Sequence, residues 1–260
     1  MKLSVSSVHW GTSAEDIVRG VDVEIERGEF VGVIGPNGSG KSSFLRCVYR
    51  VNRPHSGSIL LDEREVWNMK AREFALQAAA VPQEMPGQFD FTVREIAAMG
   101  RYPHKKALQR DNTQDLELVD QALEYVGMKE RSDRSFTSLS GGEKQRTLIA
   151  RAIAQKADFL ILDEPTNHLD IYYQLEIMDL LRSLNVTSLV VMHDLNLAAQ
   201  YCDRIYVMKD GRVFAEGSPA AVLTPDLIRS VYHVEASVVP DPQTGRPRIS
   251  FLRRVSSPLK

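Results

Sequence analysis

Eight consecutive residues, Gly35-Pro-Asn-Gly-Ser-Gly-Lys-Ser42, constrain this chain more than any other stretch, because they match G-x-x-x-x-G-K-[ST] between an apolar run and a helical pattern. Phe30-Val-Gly-Val-Ile34 reads as a fully buried strand and Lys41 to Arg50 as the helix that follows. Gly35, Gly38 and Gly40 let backbone N–H groups turn inward, Pro36, Asn37 and Ser39 complete the loop, and the helix N-terminus adds partial positive charge. Such a loop cradles a chain of phosphates. Lys41 is expected to reach the β- and γ-phosphates of a nucleotide, and Ser42 to ligate Mg²⁺.

A strand–loop–helix unit of this kind calls for an α/β fold, and the rest of the chain supplies it. Further buried strands are expected at Ala79 to Pro82, Phe159 to Asp163 and Ser188 to Met192, with amphipathic helices between them, one marked by Ile171, Leu175, Met178 and Leu181. The alternation implies a mostly parallel, doubly wound sheet. Val21-Asp-Val-Glu-Ile-Glu26 alternates apolar and acidic residues, as an antiparallel strand near a sheet edge does. Arg204 to Gly217 reads as a hairpin turning at Asp210-Gly211.

Between Glu84 and Lys156 the strand pattern gives way to helical segments at about 93–99, 115–126 and 142–154. The expected division is an α/β core of 1–83 plus 157–233, a helical subdomain of 84–156 inserted in it, and a tail of 234–260. With Pro240, Pro242, Pro247 and Pro258, the tail reads as loop-rich.

Composition narrows the partners. The 32 basic and 34 acidic residues leave a net charge of -2, so no overall field draws the chain to nucleic acid or anionic lipid. No stretch approaches the roughly 20 apolar residues that span a bilayer. The first twenty residues lack the apolar block of a signal peptide, so the chain is expected to stay in the cytosol and to serve any membrane process through another protein. Cys47 and Cys202 lie far apart without a metal-ligand pattern and are expected to be reduced and buried.

Phe159-Leu-Ile-Leu-Asp163-Glu164 places two acids at the carboxyl end of a buried strand, where ligands bind in open α/β sheets. Adjacent strand residues face opposite ways, so the two can take different tasks: Asp163 supporting hydrated Mg²⁺ and Glu164 polarising a water that attacks the γ-phosphate. Ser140, Gly141, Gly142 and Glu143 precede a helix and offer a second anion-binding device, or simply a common helix start. His193 follows the strand 188–192, and Trp10 either presents a ring to a ligand or finishes a strand.

Together these residues resemble the ATP-binding-cassette ATPases over about residues 2 to 230. Leu139-Ser-Gly-Gly-Glu-Lys-Gln-Arg146 is similar to the family's signature, Val81-Pro-Gln83 to its Q-loop, Asn167-His-Leu-Asp170 to its D-loop and Met192-His193-Asp194 to its switch histidine. The resemblance implies a P-loop NTPase (RecA-like) core with an N-terminal antiparallel β portion and an inserted α-helical subdomain. It implies a head-to-tail homodimer in which Ser140 and Gly142 of one subunit touch the γ-phosphate bound by the other. It further implies that His193 bonds the γ-phosphate and the water, that Gln83 contacts Mg²⁺, and that Trp10 stacks on adenine. Ser43 stands where Thr is usual and keeps the hydroxyl; Glu143 stands where many members have Gln.

Asp90-Phe-Thr-Val-Arg-Glu-Ile, Met99-Gly-Arg-Tyr-Pro-His104 and Thr244-Gly-Arg-Pro247 resemble the prokaryotic ATPases that power uptake of iron-siderophore, haem and cobalamin chelates. The partners so implied are a membrane permease dimer and an external binding protein, with the ATPase peripheral on the cytoplasmic face of the inner membrane. A soluble cassette ATPase without a transport role is the alternative.

Overall fold

The structure, a computed structural model, describes residues 1–13, 15–83, 90–106 and 112–254. Glu84, where the helical insertion is expected to start, and Pro258 lie outside the described residues. From the N-terminus run β1 (Leu3–Gly11), β2 (Asp16–Ile25), β3 (Phe30–Ile34), α1 (Lys41–Val48), β4 (Ser56–Leu61) and β5 (Arg64–Glu65). There follow α2 (Ala71–Gln77), β6 (Ala78–Val81), α3 (Val93–Ala98), α4 (Thr113–Tyr125), α5 (Gly141–Ala154), β7 (Phe159–Asp163) and α6 (Ile171–Ser183). The described chain ends with β8 (Thr187–Val191), α7 (Leu195–Tyr201), β9 (Arg204–Lys209), β10 (Arg212–Gly217), α8 (Pro219–Val222), α9 (Pro225–Tyr232), β11 (Val234–Pro240) and β12 (Pro247–Arg254). It is an α/β fold with mixed, mostly parallel strands, divided into two compact units: Met1–Trp67 with Thr187–Lys260, and Asn68–Val186.

In the first unit β3 lies between β9 and β8, parallel to both, and β10 pairs antiparallel with β9. All five β3 residues are buried, which is why an unbroken apolar run forms this strand. Each large aliphatic side chain taken from water there contributes about 1.5–3 kcal/mol. The antiparallel sheet runs β2-β1-β4-β5, with β2 at its edge as expected: Val21, Val23 and Ile25 are buried while Asp22 and Glu24 face water. The β9–β10 hairpin turns at Asp210 (φ 50) and Gly211 (φ 80), the paired positive φ values of a type I′ turn. Cys47 and Cys202 are buried and not joined in a disulfide; burial pushes the Cys47 thiol up to about 12.

The tail corrects the expectation of a loop. Residues 234–254 form an antiparallel hairpin, paired from Val234↔Arg254 to Pro240↔Pro247. Its prolines punctuate rather than break it, since Pro240 ends β11, Pro247 opens β12 and Pro242 lies in the turn, places where a missing N–H costs little.

In the second unit β6 and β7 pair in parallel from Ala78↔Phe159 to Val81↔Leu162. Helices α3, α4 and α5 bury Ile96, Leu123 and Ile149 among others. The segment Met99–His104 caps the C-terminal end of α5: Arg101 donates to Ala154 O at 2.7 Å, and a ring nitrogen of His104 lies 2.8 Å from Gln155 O. Gly100 has no side chain because a Cβ there would collide with the backbone carbonyl of Arg151. Arg101 also binds Asp115 at 2.8 Å, and that hydrogen bond holds the buried Asp115 carboxyl below its usual range. On α6 the buried stripe is Ile177, Met178 and Leu181; Ile171, expected within it, is 75% exposed because it is the first residue after the N-cap.

Candidate nucleotide site

The glycine loop owes its shape to its surroundings. Gly40 (φ 96) precedes α1, and a Cβ there would meet Ile17 O at 2.8 Å. Gly211 N donates to Ser39 O at 3.2 Å and Arg19 N to Gly211 O at 2.8 Å, so the β9–β10 turn and β2 brace the loop. Trp10 is half-buried on β1 and paired with Val18, the residue that follows Ile17 on β2. Asn37 and Gly38 are exposed at the tip, whereas Gly35, Ser39, Gly40 and Lys41 are buried.

Lys41 Nζ donates to Gly35 O at 2.9 Å and Pro36 O at 3.0 Å, which holds an ammonium in the middle of the loop. Ser39 Oγ, in a residue only 3% exposed, has no hydrogen-bond partner among the described residues. A buried hydroxyl without a partner beside a buried ammonium suits an anion rich in acceptors. Helix α1 starts without a side-chain cap and with no acid in its first turn, which leaves its N–H groups for such an anion. On the same unit His193 is exposed after β8; Met192 N is tied to Val33 O at 3.0 Å, and Asp194 caps α7.

The second unit carries the acids. Asp163 ends β7 and is 2% exposed. Glu164 follows with φ 52, a left-handed conformation costing about 1–3 kcal/mol in a residue other than glycine. Its Oε2 accepts from Gln83 Nε2 at 3.0 Å and from Asn167 Nδ2 at 2.9 Å, so two neutral amides aim the carboxylate. The structure thus brings Gln83 to Glu164 and adds Asn167, whose orienting role the sequence did not announce although it stands in the D-loop segment. Asp170 caps α6 by accepting from Tyr173 N at 3.1 Å.

At the start of α5, Ser140 and Glu143 form a closed pair. Ser140 N and Oγ each donate to Glu143 Oε2 at 2.8 Å, and Glu143 N returns to Ser140 Oγ at 3.4 Å. Arg131 binds the other Glu143 oxygen, a partner without sequence signal. Gly141 and Gly142 lie against Leu169 and the Tyr173 ring, so the signature and D-loop segments pack together in this unit.

For a divalent ion, the hydroxyl of Ser42, the carboxylate of Asp163 and the amide oxygen of Gln83 are hard oxygen donors of the kind Mg²⁺ takes. The residues present therefore fit that ion in chemistry.

Residues 18–167 match the family model described as ABC transporter, and the chain belongs to that family. It is 38% identical to the iron(3+)-hydroxamate import ATP-binding protein FhuC of Bacillus subtilis, over 94% of this chain and 93% of that one. It is 41% identical to the petrobactin import ATP-binding protein FpuC of Bacillus anthracis (91% and 88% covered) and 38% identical to the hemin import ATP-binding protein HmuV of Pseudomonas fluorescens (95% and 98%). Among solved structures it is similar to a chain described as from a metal-chelate type ABC transporter in an inward-facing conformation, with TM-score 0.83, 27% identity and 96% and 97% of the two chains covered.

Proposed function

We propose that this chain is the ATP-hydrolysing subunit of a prokaryotic importer of an iron-siderophore, haem or cobalamin chelate, acting as a homodimer on a separate membrane permease. The observation that carries the hydrolytic reading is Glu164, strained and aimed by two amides at the end of a buried strand, in a chain whose glycine loop opens a helix with no side-chain cap. The similarity to import ATP-binding proteins for hydroxamate, petrobactin and hemin supports the cargo class.

In this reading Lys41 and the N–H groups of residues 35–43 hold the triphosphate, and the Trp10 ring stacks on adenine. Lys41 exchanges its two loop carbonyls for phosphate oxygens. Ser42, Gln83 and Asp163 would hold Mg²⁺, which when bound neutralises phosphate charge. Glu164 accepts a proton of the attacking water as the water oxygen bonds to the γ-phosphorus and the bond from that phosphorus to the β–γ bridging oxygen breaks, so that ADP leaves, while His193 donates to the γ-phosphate. Ser140 and Gly142 reach the nucleotide of the partner subunit, with the Asp170 turn at the same contact. Residues 84–156 form the helical subdomain that meets the permease. Among the described residues no helix is long and apolar enough to cross a membrane, which fits a peripheral subunit whose permease and external binding protein are other chains.

Glu164→Gln tests the chemistry: turnover is expected to fall at least about 10²-fold while ATP-dependent dimers accumulate. Unchanged turnover would remove Glu164 as the base. Recovery of a polytopic membrane protein on pull-down from native membranes tests the transport role, and its absence in mild detergent would point to a soluble ATPase.

A further inference from the structure

We propose that the C-terminal hairpin β11–β12 positions His193 by clamping α7 at both ends, with Asn196 and Arg246 as the positioning residues. The inference rests on the reading of His193 as a γ-phosphate ligand. Helix α7 has only seven residues, too few to stand without tertiary support. It begins two residues after His193, and its N-cap Asp194 accepts from Asn196 N at 2.7 Å and Leu197 N at 3.0 Å. Asn196 therefore faces two ways. Its backbone is held by Asp194, while its side chain donates to Ile249 O at 3.1 Å and accepts from Ile249 N at 2.8 Å, pairing with β12 as a neighbouring strand would.

The other end of α7 is held by Arg246, which donates through Nη1 to Ala199 O at 3.0 Å and Cys202 O at 2.8 Å. These are terminal carbonyls of the helix, where a cation is favoured. The turn that presents Arg246 is itself ordered. Asp241 accepts from Gln243 N and Thr244 N at 3.0 Å each, and its backbone N donates to Arg246 O at 2.8 Å. The side chain of Ile249, the residue held by Asn196, is 4% exposed and Ala236 on β11 8% exposed, so the hairpin buries apolar side chains as well.

His193 thus lies between two fixed points. On one side Met192 is bonded to Val33 of β3, the strand leading into the glycine loop; on the other, α7 is fastened to the hairpin. Loosening the second should misplace the imidazole and leave nucleotide binding intact. A residue supporting only the fold would not act selectively through His193.

The experiment uses the full chain with its permease partner. Asn196→Ala and Arg246→Ala are made in the wild-type and in the His193→Ala backgrounds, and kcat, KM for ATP and thermal midpoint are measured. Each is expected to lower kcat about tenfold with KM within about twofold in the wild type, the size of effect a small misplacement gives, and to change kcat little once His193 is gone. Arg246→Lys, which keeps a donor for the carbonyls, is expected to recover part of the rate and serves if a truncating variant does not fold. An equal fall of kcat in both backgrounds, or wild-type kcat in all three variants, would overturn the clamp. Wild-type kcat in His193→Ala alone would instead overturn the parent reading of His193, and the clamp with it.

Discussion

The helices α1 and α5 both open behind a glycine-rich segment, yet their first turns are opposites. At α1 the cap is a glycine with φ 96, no acid sits in the first turn, and the nearby cation is folded onto backbone carbonyls. At α5 the cap is Ser140, and Glu143 closes a capping box on it with Arg131 behind. The first helix start is left open for an anion; the second is already satisfied by an anion of its own. Under the proposed dimer, the start of α1 is the phosphate site that stands ready, and Ser140 could donate to a partner's nucleotide once Glu143 releases its hydroxyl.

The sharpest way to break this contrast is Lys41→Ala, which removes the charge from the open end. ATPase is expected to fall about 10²- to 10³-fold, the worth of a buried electrostatic contact, and nucleotide affinity to fall with it. A loss under tenfold would place phosphate recognition elsewhere. Next is Arg101→Ala, which uncaps the far end of α5 and leaves Asp115 buried without its cation; about 3 kcal/mol of stability should be lost by chemical denaturation. Because the Asp115 carboxyl is held below its ordinary value in the folded state, its ionised form stabilises at neutral pH and that contribution is lost as pH falls through the depressed value. The stability gap between wild type and variant should therefore persist down to about pH 5 and narrow below about pH 4.

Ser140→Ala should cost about 1 kcal/mol of stability, a normal cap loss. Its rate should fall far more than its ATP affinity, since the loop of the same protomer is untouched; an equal loss of affinity would contradict the division of labour. The smallest effect is expected for Glu143→Gln, because Gln can complete a capping box. A thermal midpoint within about 2 °C of wild type, with ATP-dependent dimerisation made easier, would sharpen the contrast. Harder dimerisation would reverse it.

Much of this was legible because backbone chemistry writes itself in local sequence. The glycine loop, the Asp210-Gly211 turn and the apolar run of β3 each depend on residues adjacent in the chain. What was not legible depends on partners far along it. Asn167 reveals itself only when its amide reaches Glu164, and Arg131 only beside Glu143. Met99–His104 carried a family resemblance, but that Arg101 and His104 close the end of α5 follows from the packing of residues about fifty positions away. The tail misled because four prolines suggest a loop, whereas three of them stand at the ends and turn of a hairpin. Ile171 fitted a helical stripe by spacing and yet lies outside, since the first position of a helix need not share the face of its later turns.

The two buried thiols have a practical consequence. Thiolates, not thiols, attack alkylating reagents, and Cys47 on α1 is both shielded and held protonated by burial. Reagents should leave the folded chain unmarked, so an engineered surface cysteine would carry a probe without removal of the native pair. Modification of Cys47 would then act as a clock, recording how often the helix behind the glycine loop opens to solvent, and how far nucleotide slows it.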